Sequence, residues 1–251
     1  MIEIVIYLFI IGLILASFLT LVGMRLPVNQ SIVKPRSHCD NCKHQLKWYE
    51  LIPVFSYIIQ NGKCRKCKKK LSMLYPLLEI LSGTVFALAY IYFGISFDFF
   101  VTVLLCCLLV VIIVSDFNYM IILDSPLVIV SMLIVILKFY YYDFYHVLYG
   151  VVCGAGMLLF LLFVKFIGDK IFKKDSLGGG DIKLAFIFGL VLGVKYSFVA
   201  LVIGCFCAFP YAFYNMSKDK NSEIPFGPFL MIGLLVTFCF MDLMNPILML
   251  V

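Results

Sequence analysis

The sequence predicts an all-α polytopic membrane protein, and two observations carry that prediction. Of the 251 residues, 64% are hydrophobic and 14% are charged, with a mean hydropathy of +1.09. Soluble domains have roughly 45–50% apolar and 25% charged residues. Apolar runs also recur at about 17–25 residues, the length at which a helix spans a bilayer. A lipid bilayer is therefore the first partner that the sequence predicts.

About eight segments are predicted to span the membrane as helices. They lie at 2–24, 73–94, 99–115, 121–138, 145–168, 182–194, 197–215 and 226–250. The sixth is short by the length criterion, so the turn near Gly193 is its least defined boundary. The first run has Glu3 as its only early charge and lacks a basic region ahead of it. It is therefore predicted to be a retained helix and not a cleaved signal peptide.

Basic residues set the predicted orientation. Eighteen of the twenty Lys and Arg residues fall in alternate loops, eleven of them between Arg25 and Lys70, and only Lys138 and Lys195 lie on the other side. The positive-inside rule places the basic loops in the cytoplasm and both termini outside it. Topology and anionic lipid headgroups account for the net charge of +6, so no nucleic-acid partner is predicted.

The polar loop 25–72 separates the first helix, 1–24, from the remaining bundle, 73–251, and contains two CxxC pairs. The pairs are Cys39/Cys42 and Cys64/Cys67. Four thiolates from two tight turns complete a tetrahedron, which predicts a structural Zn²⁺ in a zinc-ribbon-like loop. Two disulfides or redox-active pairs are the alternative, although a reducing cytoplasm opposes lasting disulfides. His38 and His44 flank the first pair as substitute ligands.

Between the pairs runs LKWYELIPVFSYIIQNGKC, which contains Trp48, the sole tryptophan. Its aromatic and aliphatic side chains predict a segment that lies along the membrane surface, where Trp and Tyr are enriched. The loop is too short to fold on a core of its own, so we expect metal to hold it together.

Carboxylates within membrane segments are costly and therefore indicate function. The candidates are Glu79, Asp116, Asp124, Asp181 and Asp242. By the predicted topology Asp116 and Asp181 end at similar depth on the cytoplasmic side, which permits two carboxyl groups to share one proton and activate one water. The chain has no GxSxG or HExxH motif, so aspartates are the chemistry available for hydrolysis in the membrane. Asp124 is predicted to be structural or supporting.

The stretch LGGGDIKL contains Asp181 and three glycines at the start of a predicted helix. Asp181 is also a good N-cap residue, so an ordinary helix start is one interpretation. The functional interpretation is that Gly178 and Gly180 lack Cβ atoms beside Asp181, which lets a substrate backbone approach the carboxylate.

Several long motifs, in order, are similar to the bacterial type IV prepilin peptidases, a family of GxGD aspartyl membrane proteases. They are ASFLTLVGMRLP (16–27), PRSHCDNCKHQLKWYELIPVFSY (35–57), NGKCRKCKKKLSMLYPLLE (61–79), GGGD (178–181) and IPFGPFL (224–230). The resemblance implies an enzyme of the bacterial cytoplasmic membrane that removes the short basic leader of prepilins and pseudopilins. It implies Asp116 and Asp181 as the catalytic pair. It also implies N-methylation of the new N-terminus with S-adenosylmethionine. Gly62 and Lys63 occupy the positions that the family associates with this step.

The chain departs from the family where Leu123-Asp124 replaces the usual Pro-Asp, with Pro126 two residues on. Two other classes stay open from the residues alone. A membrane thiol oxidoreductase would use the CxxC pairs, and a transporter would use the intramembrane carboxylates and a glycine-broken helix.

Overall fold

A computed structural model of the chain describes residues 2–39, 41–173, 177–218 and 224–241. In these ranges the secondary structure is helical, without strands. The helices are α1 (Ile2–Arg25), the short α2 (Phe55–Ile59), α3 (Leu74–Phe93), α4 (Phe97–Tyr119), α5 (Asp124–Tyr141), α6 (Phe144–Phe172), α7 (Gly179–Lys218) and α8 (Gly227–Cys239). The all-α membrane fold is confirmed.

Six of these helices are long and apolar enough to cross a membrane, namely α1 and α3 to α7. The helix α7 is interrupted at Gly193, whose φ of 70° and ψ of 179° are not helical. Glycine adopts this positive φ without the steric cost of a side chain. The interruption falls one residue before the end of the predicted span 182–194, so this span and the next, 197–215, correspond to the two halves of one broken helix.

The last predicted span, 226–250, begins as a helix at Gly227 and is described only as far as residue 241. Within that part, α8 is shorter than a full span. Asp242, one of the candidate carboxylates, lies outside the described residues. The predicted count of about eight spans thus corresponds to six long helices, one of them broken into two, and the described part of α8.

Two compact units make up the chain, Met1–Val114 and Ser115–Val251. In the first unit, α1 and α3 pack on each other where Gly12 meets Gly83. A Cβ on Gly12 would lie 2.7 Å from the Gly83 Cα, so the close contact requires glycine, as in other membrane helix pairs. The polar loop runs between these two helices and belongs to the same unit.

Glu79 of α3 ties the polar loop to the helices of the first unit. Its Oε2 accepts a 2.7 Å hydrogen bond from the backbone N–H of Val54, and Glu79 itself is buried. Val54 has a φ of 62°, an uncommon conformation for a β-branched residue. The carboxylate therefore anchors a strained turn of the loop at the membrane helix.

In the second unit α7 packs against α6 on one side and α8 on another, while α5 contacts both α6 and α7. α5 begins at Asp124, and Pro126 lies in its first turn, where proline removes no helical hydrogen bond. The absence of the usual proline at Leu123 thus leaves the helix start at the aspartate. The second unit also contains the C-terminal end of α4, together with the N-terminal ends of α5, α7 and α8.

Candidate active site and candidate metal centre

Asp116 lies near the C-terminal end of α4 and is buried, with 6% of the residue exposed. Its Oδ2 accepts a 3.0 Å hydrogen bond from the backbone N–H of Gly227. Gly227 is the first residue of α8, where N–H groups lack a partner within the helix and the helix dipole favours a negative charge. This contact orients the Asp116 carboxyl group.

Asp181 is in the first turn of α7. Its Oδ1 is buried and has no hydrogen-bond partner among the described residues. The Asp116 carboxyl group lies close enough to that of Asp181 for the two to interact electrostatically. The structure therefore brings together the two aspartates that were predicted to act as a pair.

The chemistry of this pair follows from two oxygens: Asp116 Oδ2 is bonded to the Gly227 N–H, and Asp181 Oδ1 has no partner among the described residues. Nearly all buried polar side-chain atoms in proteins have a hydrogen-bond partner, so the unpartnered Oδ1 of Asp181 marks a place for water or substrate. Where two carboxyl groups interact, the charge on one opposes the ionisation of the other. An ionised and a protonated carboxyl side by side are what aspartic proteases use to activate one water.

The three glycines before Asp181 differ in what surrounds them. A Cβ on Gly178 would lie 3.0 Å from Asp181 Oδ2, and a Cβ on Gly179 would meet no atom within 4 Å. A Cβ on Gly180 would lie only 2.5 Å from the Cβ of Ile122. Packing against Ile122 thus accounts for the glycine at position 180, and Gly178 faces the carboxylate; access of substrate past Gly178 and Gly180 stays a prediction.

Asp124, the predicted supporting residue, forms an ion pair with Lys183. The Lys183 Nζ lies 2.6 and 2.7 Å from the two Asp124 carboxylate oxygens, and both side chains are more than half exposed. Lys183 follows Asp181 by two residues on α7. The ion pair thus joins the start of α5 to the helix turn that carries Asp181.

Three residues around the aspartates were not singled out from the sequence. Gly227 lies within IPFGPFL and Lys183 within LGGGDIKL, so the motifs were recognised but not these members. Lys165 donates a 2.8 Å hydrogen bond from its Nζ to the carbonyl of Leu177, just before the glycines. Its signal was a basic residue inside the apolar run 145–168.

The four loop cysteines converge on one point. The Sγ atoms of Cys39, Cys42, Cys64 and Cys67 all lie within 4.8 Å of one another. Two of these pairs, Cys39–Cys67 and Cys42–Cys64, have Sγ–Sγ distances of 3.8 and 3.9 Å. Tetrahedral ligands about 2.3 Å from a zinc ion lie about 3.8 Å from each other, so this cluster can hold a metal ion.

Both cysteine pairs lie in turns with the same hydrogen bonds. The N–H of Cys39 donates to the His44 carbonyl and that of Lys43 to the Cys39 carbonyl; the same two bonds recur 25 residues later in the second turn. Lys43 and Lys68, which occupy equivalent positions, have φ values of 54° and 57°. Two copies of one turn therefore present two thiols each.

Backbone amides favour the thiolate at two of the four cysteines. The N–H of Lys69 is the main cause that lowers the pKa of the Cys67 thiol to about 6, and the N–H of Cys42 is the main cause that lowers the pKa of Cys39. At Cys42 the N–H of His44 also lowers the pKa, but lost hydration and the neighbouring thiols together raise it to about 11. A bound divalent cation would stabilise the thiolates by offsetting part of their negative charge.

The two histidines beside the first pair are not part of the cluster. His38 Nδ1 is 3.0 Å from the Arg36 carbonyl, and His44 Nε2 is 3.5 Å from a Glu50 oxygen. The Glu50 side chain is 2% exposed, accepts the Lys47 N–H over 2.9 Å and lies 3.8 Å from Arg65. These contacts connect the first cysteine turn to the second, with cysteines as the candidate metal ligands.

Gly62 and Lys63, the predicted cofactor residues, lie just before Cys64. Gly62 has a φ of 64°, and a Cβ there would lie 2.8 Å from the Tyr57 hydroxyl. Its N–H donates to the Tyr57 carbonyl, and its carbonyl accepts the Leu71 N–H. Lys63 is exposed. Local structure thus accounts for the glycine, while the lysine side chain is turned to solvent.

An all-helical membrane protein with paired aspartates at helix ends has the features of an aspartyl membrane peptidase. Residues 10–93 match the family model for the bacterial peptidase A24 N-terminal domain, and residues 103–213 match the type IV leader peptidase family. Together these two matches include the four cysteines and both aspartates.

Curated relatives carry the same assignment along nearly the whole chain. A prepilin leader peptidase/N-methyltransferase of Bacillus subtilis is 34% identical over 240 residues, 94% of each chain. One of Vibrio cholerae is 29% identical over 246 residues, 94% of this chain and 96% of its own. A type 4 prepilin-like proteins leader peptide-processing enzyme of Escherichia coli is 27% identical over 247 residues, 90% of each. No solved structure matches. The chain belongs to the type IV leader peptidase family.

Proposed function

We propose that this protein is an aspartyl endopeptidase that cleaves the short basic leader from type IV prepilins and pseudopilins, and that it also methylates the new N-terminus. Family membership supports the substrate class, since the curated relatives are prepilin leader peptidases/N-methyltransferases. The observation that carries the chemistry is the neighbouring carboxyl pair of Asp116 and Asp181, of which Asp181 Oδ1 has no protein partner.

Cleavage proceeds by direct attack of water, without a covalent enzyme intermediate. The ionised aspartate takes a proton from the water as its oxygen attacks the scissile carbonyl carbon, and the protonated aspartate donates to the carbonyl oxygen. Collapse of the tetrahedral intermediate breaks the C–N bond, and the amine leaves with a proton. The Gly227 N–H holds Asp116 throughout, while Asp181 Oδ1 is available to the water.

Methylation is proposed to use S-adenosylmethionine, which supplies an electrophilic methyl group to the new amine. Lys63 is the residue of the predicted pair that fits a cofactor contact, because its ammonium group is exposed and suits a carboxylate. The N–H and the carbonyl of Gly62 are both hydrogen-bonded within the loop, so its contribution is to set the turn that presents Lys63.

The four-cysteine cluster is proposed to hold a structural Zn²⁺. The thiol spacing matches tetrahedral coordination, and four ligands leave no open position for a reacting water. The metal would hold the loop 25–72 together, as expected for a segment with little core. It takes no part in peptide hydrolysis.

The proposed location is the bacterial cytoplasmic membrane, with both termini outside the cytoplasm and the cysteine loop inside it. The distribution of Lys and Arg supports this orientation. It puts the ends of α4 and α7 that carry the aspartates on the cytoplasmic side, where a prepilin leader is found. Prepilins and the bilayer are then the partners, and nucleic acid is not.

The test is cleavage of a synthetic prepilin peptide by purified protein in detergent, read by mass spectrometry. Release of the leader in the absence of added metal or thiol reagents supports the peptidase. An intact peptide, together with thiol–disulfide exchange at the cysteine pairs or solute uptake in vesicles, would instead indicate the oxidoreductase or the transporter.

A further inference from the structure

The loop between α1 and α3 exposes a set of large apolar side chains. They are Trp48, Leu51, Ile52, Phe55, Ile58 and Ile59. Trp48 is 77% exposed, whereas tryptophan side chains are highly buried on average. Large apolar side chains exposed close together in the chain indicate an interaction site when they are not part of a helix that faces lipid. We refer to these six residues as the loop patch.

Helical geometry places part of the loop patch on one face. Phe55, Ile58 and Ile59 are spaced i, i+3 and i+4 on α2, so they lie side by side. Trp48 and Leu51 are at a 3₁₀ turn a few residues before α2. The turn is held by Glu50, which accepts the Lys47 N–H, so the aromatic end of the patch is built on a fixed backbone.

The charges exposed by the same loop are all positive among its described residues. Of the eleven Lys and Arg residues between positions 25 and 70, Arg25 is buried and the other ten are exposed. The described carboxylate, Glu50, is buried and faces Arg65. An apolar patch beside cations is the combination that binds anionic lipid headgroups.

We propose that the loop patch docks on the anionic surface of the bilayer, with Trp48 in the headgroup region. The loop is tethered at both ends by membrane-spanning helices, α1 and α3, so it stays at the membrane surface. Tryptophan is enriched at that depth. A basic prepilin leader or a second copy of the same loop is a poor alternative occupant, because either would meet ten like charges.

The test uses Trp48 as a built-in reporter. The purified, metal-loaded protein is placed in nanodiscs whose acyl chains carry bromine, a contact quencher of tryptophan fluorescence. We expect bromolipid to quench Trp48, more strongly in phosphatidylglycerol than in phosphatidylcholine, with the difference shrinking at high salt. Quenching by aqueous iodide alone, with none by bromolipid, would overturn the proposal. Bromolipid quenching that appears only after a prepilin peptide is added would also overturn it.

Two sets of variants separate the patch from the rest of the protein. Ile58→Asp with Ile59→Asp should reduce quenching by bromolipid severalfold, whereas the matched Ile58→Leu with Ile59→Leu should not. Metal content per chain reports whether the loop is still folded. Lys66→Gln with Lys69→Gln should weaken the preference for phosphatidylglycerol and keep the metal. Unchanged quenching in the aspartate variant, or an unchanged lipid preference in the glutamine variant, contradicts docking.

Discussion

Lys183 and Asp124 form a two-pronged ion pair, with the lysine Nζ 2.6 and 2.7 Å from the carboxylate oxygens. The lysine lies two residues after Asp181, and the aspartate begins α5. The pair therefore links the helix turn that carries one catalytic candidate to a neighbouring helix. We expect it to be a positioning contact, because the Asp124 carboxylate is more than half exposed and is bonded to Lys183.

The ion pair predicts mild effects from single charge removal. Asp124→Asn should keep substantial cleavage activity, because an exposed pair contributes about 0.2–1 kcal/mol. Lys183→Met should behave alike. The double variant Asp124→Lys with Lys183→Asp should be more active than either single charge reversal, because it restores an ion pair. Leader cleavage rates of these two single variants, the double exchange and the two single charge reversals measure this. An inactive Asp124→Asn beside an active Asp116→Asn would reverse the assignment of the first catalytic aspartate.

Replacement of either aspartate of the pair is predicted to cause a severe loss of cleavage. Asp116→Asn and Asp181→Asn should each lower cleavage by at least about 10²–10⁴-fold, the usual contribution of a general acid or base. Asparagine keeps the shape, and at position 116 it retains an oxygen for the Gly227 N–H, so both variants should remain folded in the membrane. Kinetics on a prepilin peptide, with protein recovered from membranes as control, test the prediction. Near-normal cleavage by either variant contradicts the paired mechanism.

The glycines before Asp181 offer a matched comparison. Gly180→Ala should reduce activity and stability, because its Cβ would lie 2.5 Å from the Cβ of Ile122 and overpacking costs about 1–3 kcal/mol. Gly179→Ala should be tolerated, since no atom lies within 4 Å of a Cβ there. Thermal unfolding in detergent and cleavage rates compare the two. Ile122→Ala should rescue Gly180→Ala if packing is the cause; failure of that rescue would favour a direct substrate contact at Gly180.

Metal removal should act on the loop before it acts on catalysis. Cys64→Ser should lower zinc content below one per chain and make the loop 25–72 sensitive to protease, because the loop depends on the four thiols. Cys205→Ser, at an exposed helix position, is the control. Zinc by atomic emission and limited proteolysis are the measurements. An ordered loop and full cleavage in a metal-free preparation would rule out the structural zinc.

Lys63 should separate the two proposed reactions. Lys63→Ala should leave cleavage near normal and lower methylation of the released N-terminus, whereas Lys66→Ala, at another exposed lysine of the same loop, should do neither. Gly62→Ala is a poor test because its Cβ would meet Tyr57. Mass spectrometry of processed pilin from cells with each variant gives both yields. A wild-type level of methylation in Lys63→Ala would contradict a role for Lys63 in methylation. An unmethylated product from the wild-type protein would contradict the proposed methyltransferase activity.

The membrane class, the position of the helices and the four cysteines could be predicted from the sequence because their signals are local. Hydropathy over 20 residues defines a spanning segment whatever it packs against, and two CxxC pairs bring their thiols together through turn geometry alone. Asp116 and Asp181 could be proposed as a pair because membrane topology puts the ends of spans at a common depth. The turn near Gly193 could also be located from the sequence, because it interrupts an apolar run.

Contacts between helices were decided by the tertiary structure alone. That the amide of Gly227 holds Asp116, that Lys183 pairs with Asp124 across 59 residues and that Ile122 fills the space beside Gly180 all depend on which helices become neighbours. Hydropathy does not encode those neighbours, because any apolar face satisfies lipid as well as it satisfies another helix. The spans and the candidate residues were thus determined by the sequence itself, and the partners of each carboxylate were determined by helix packing.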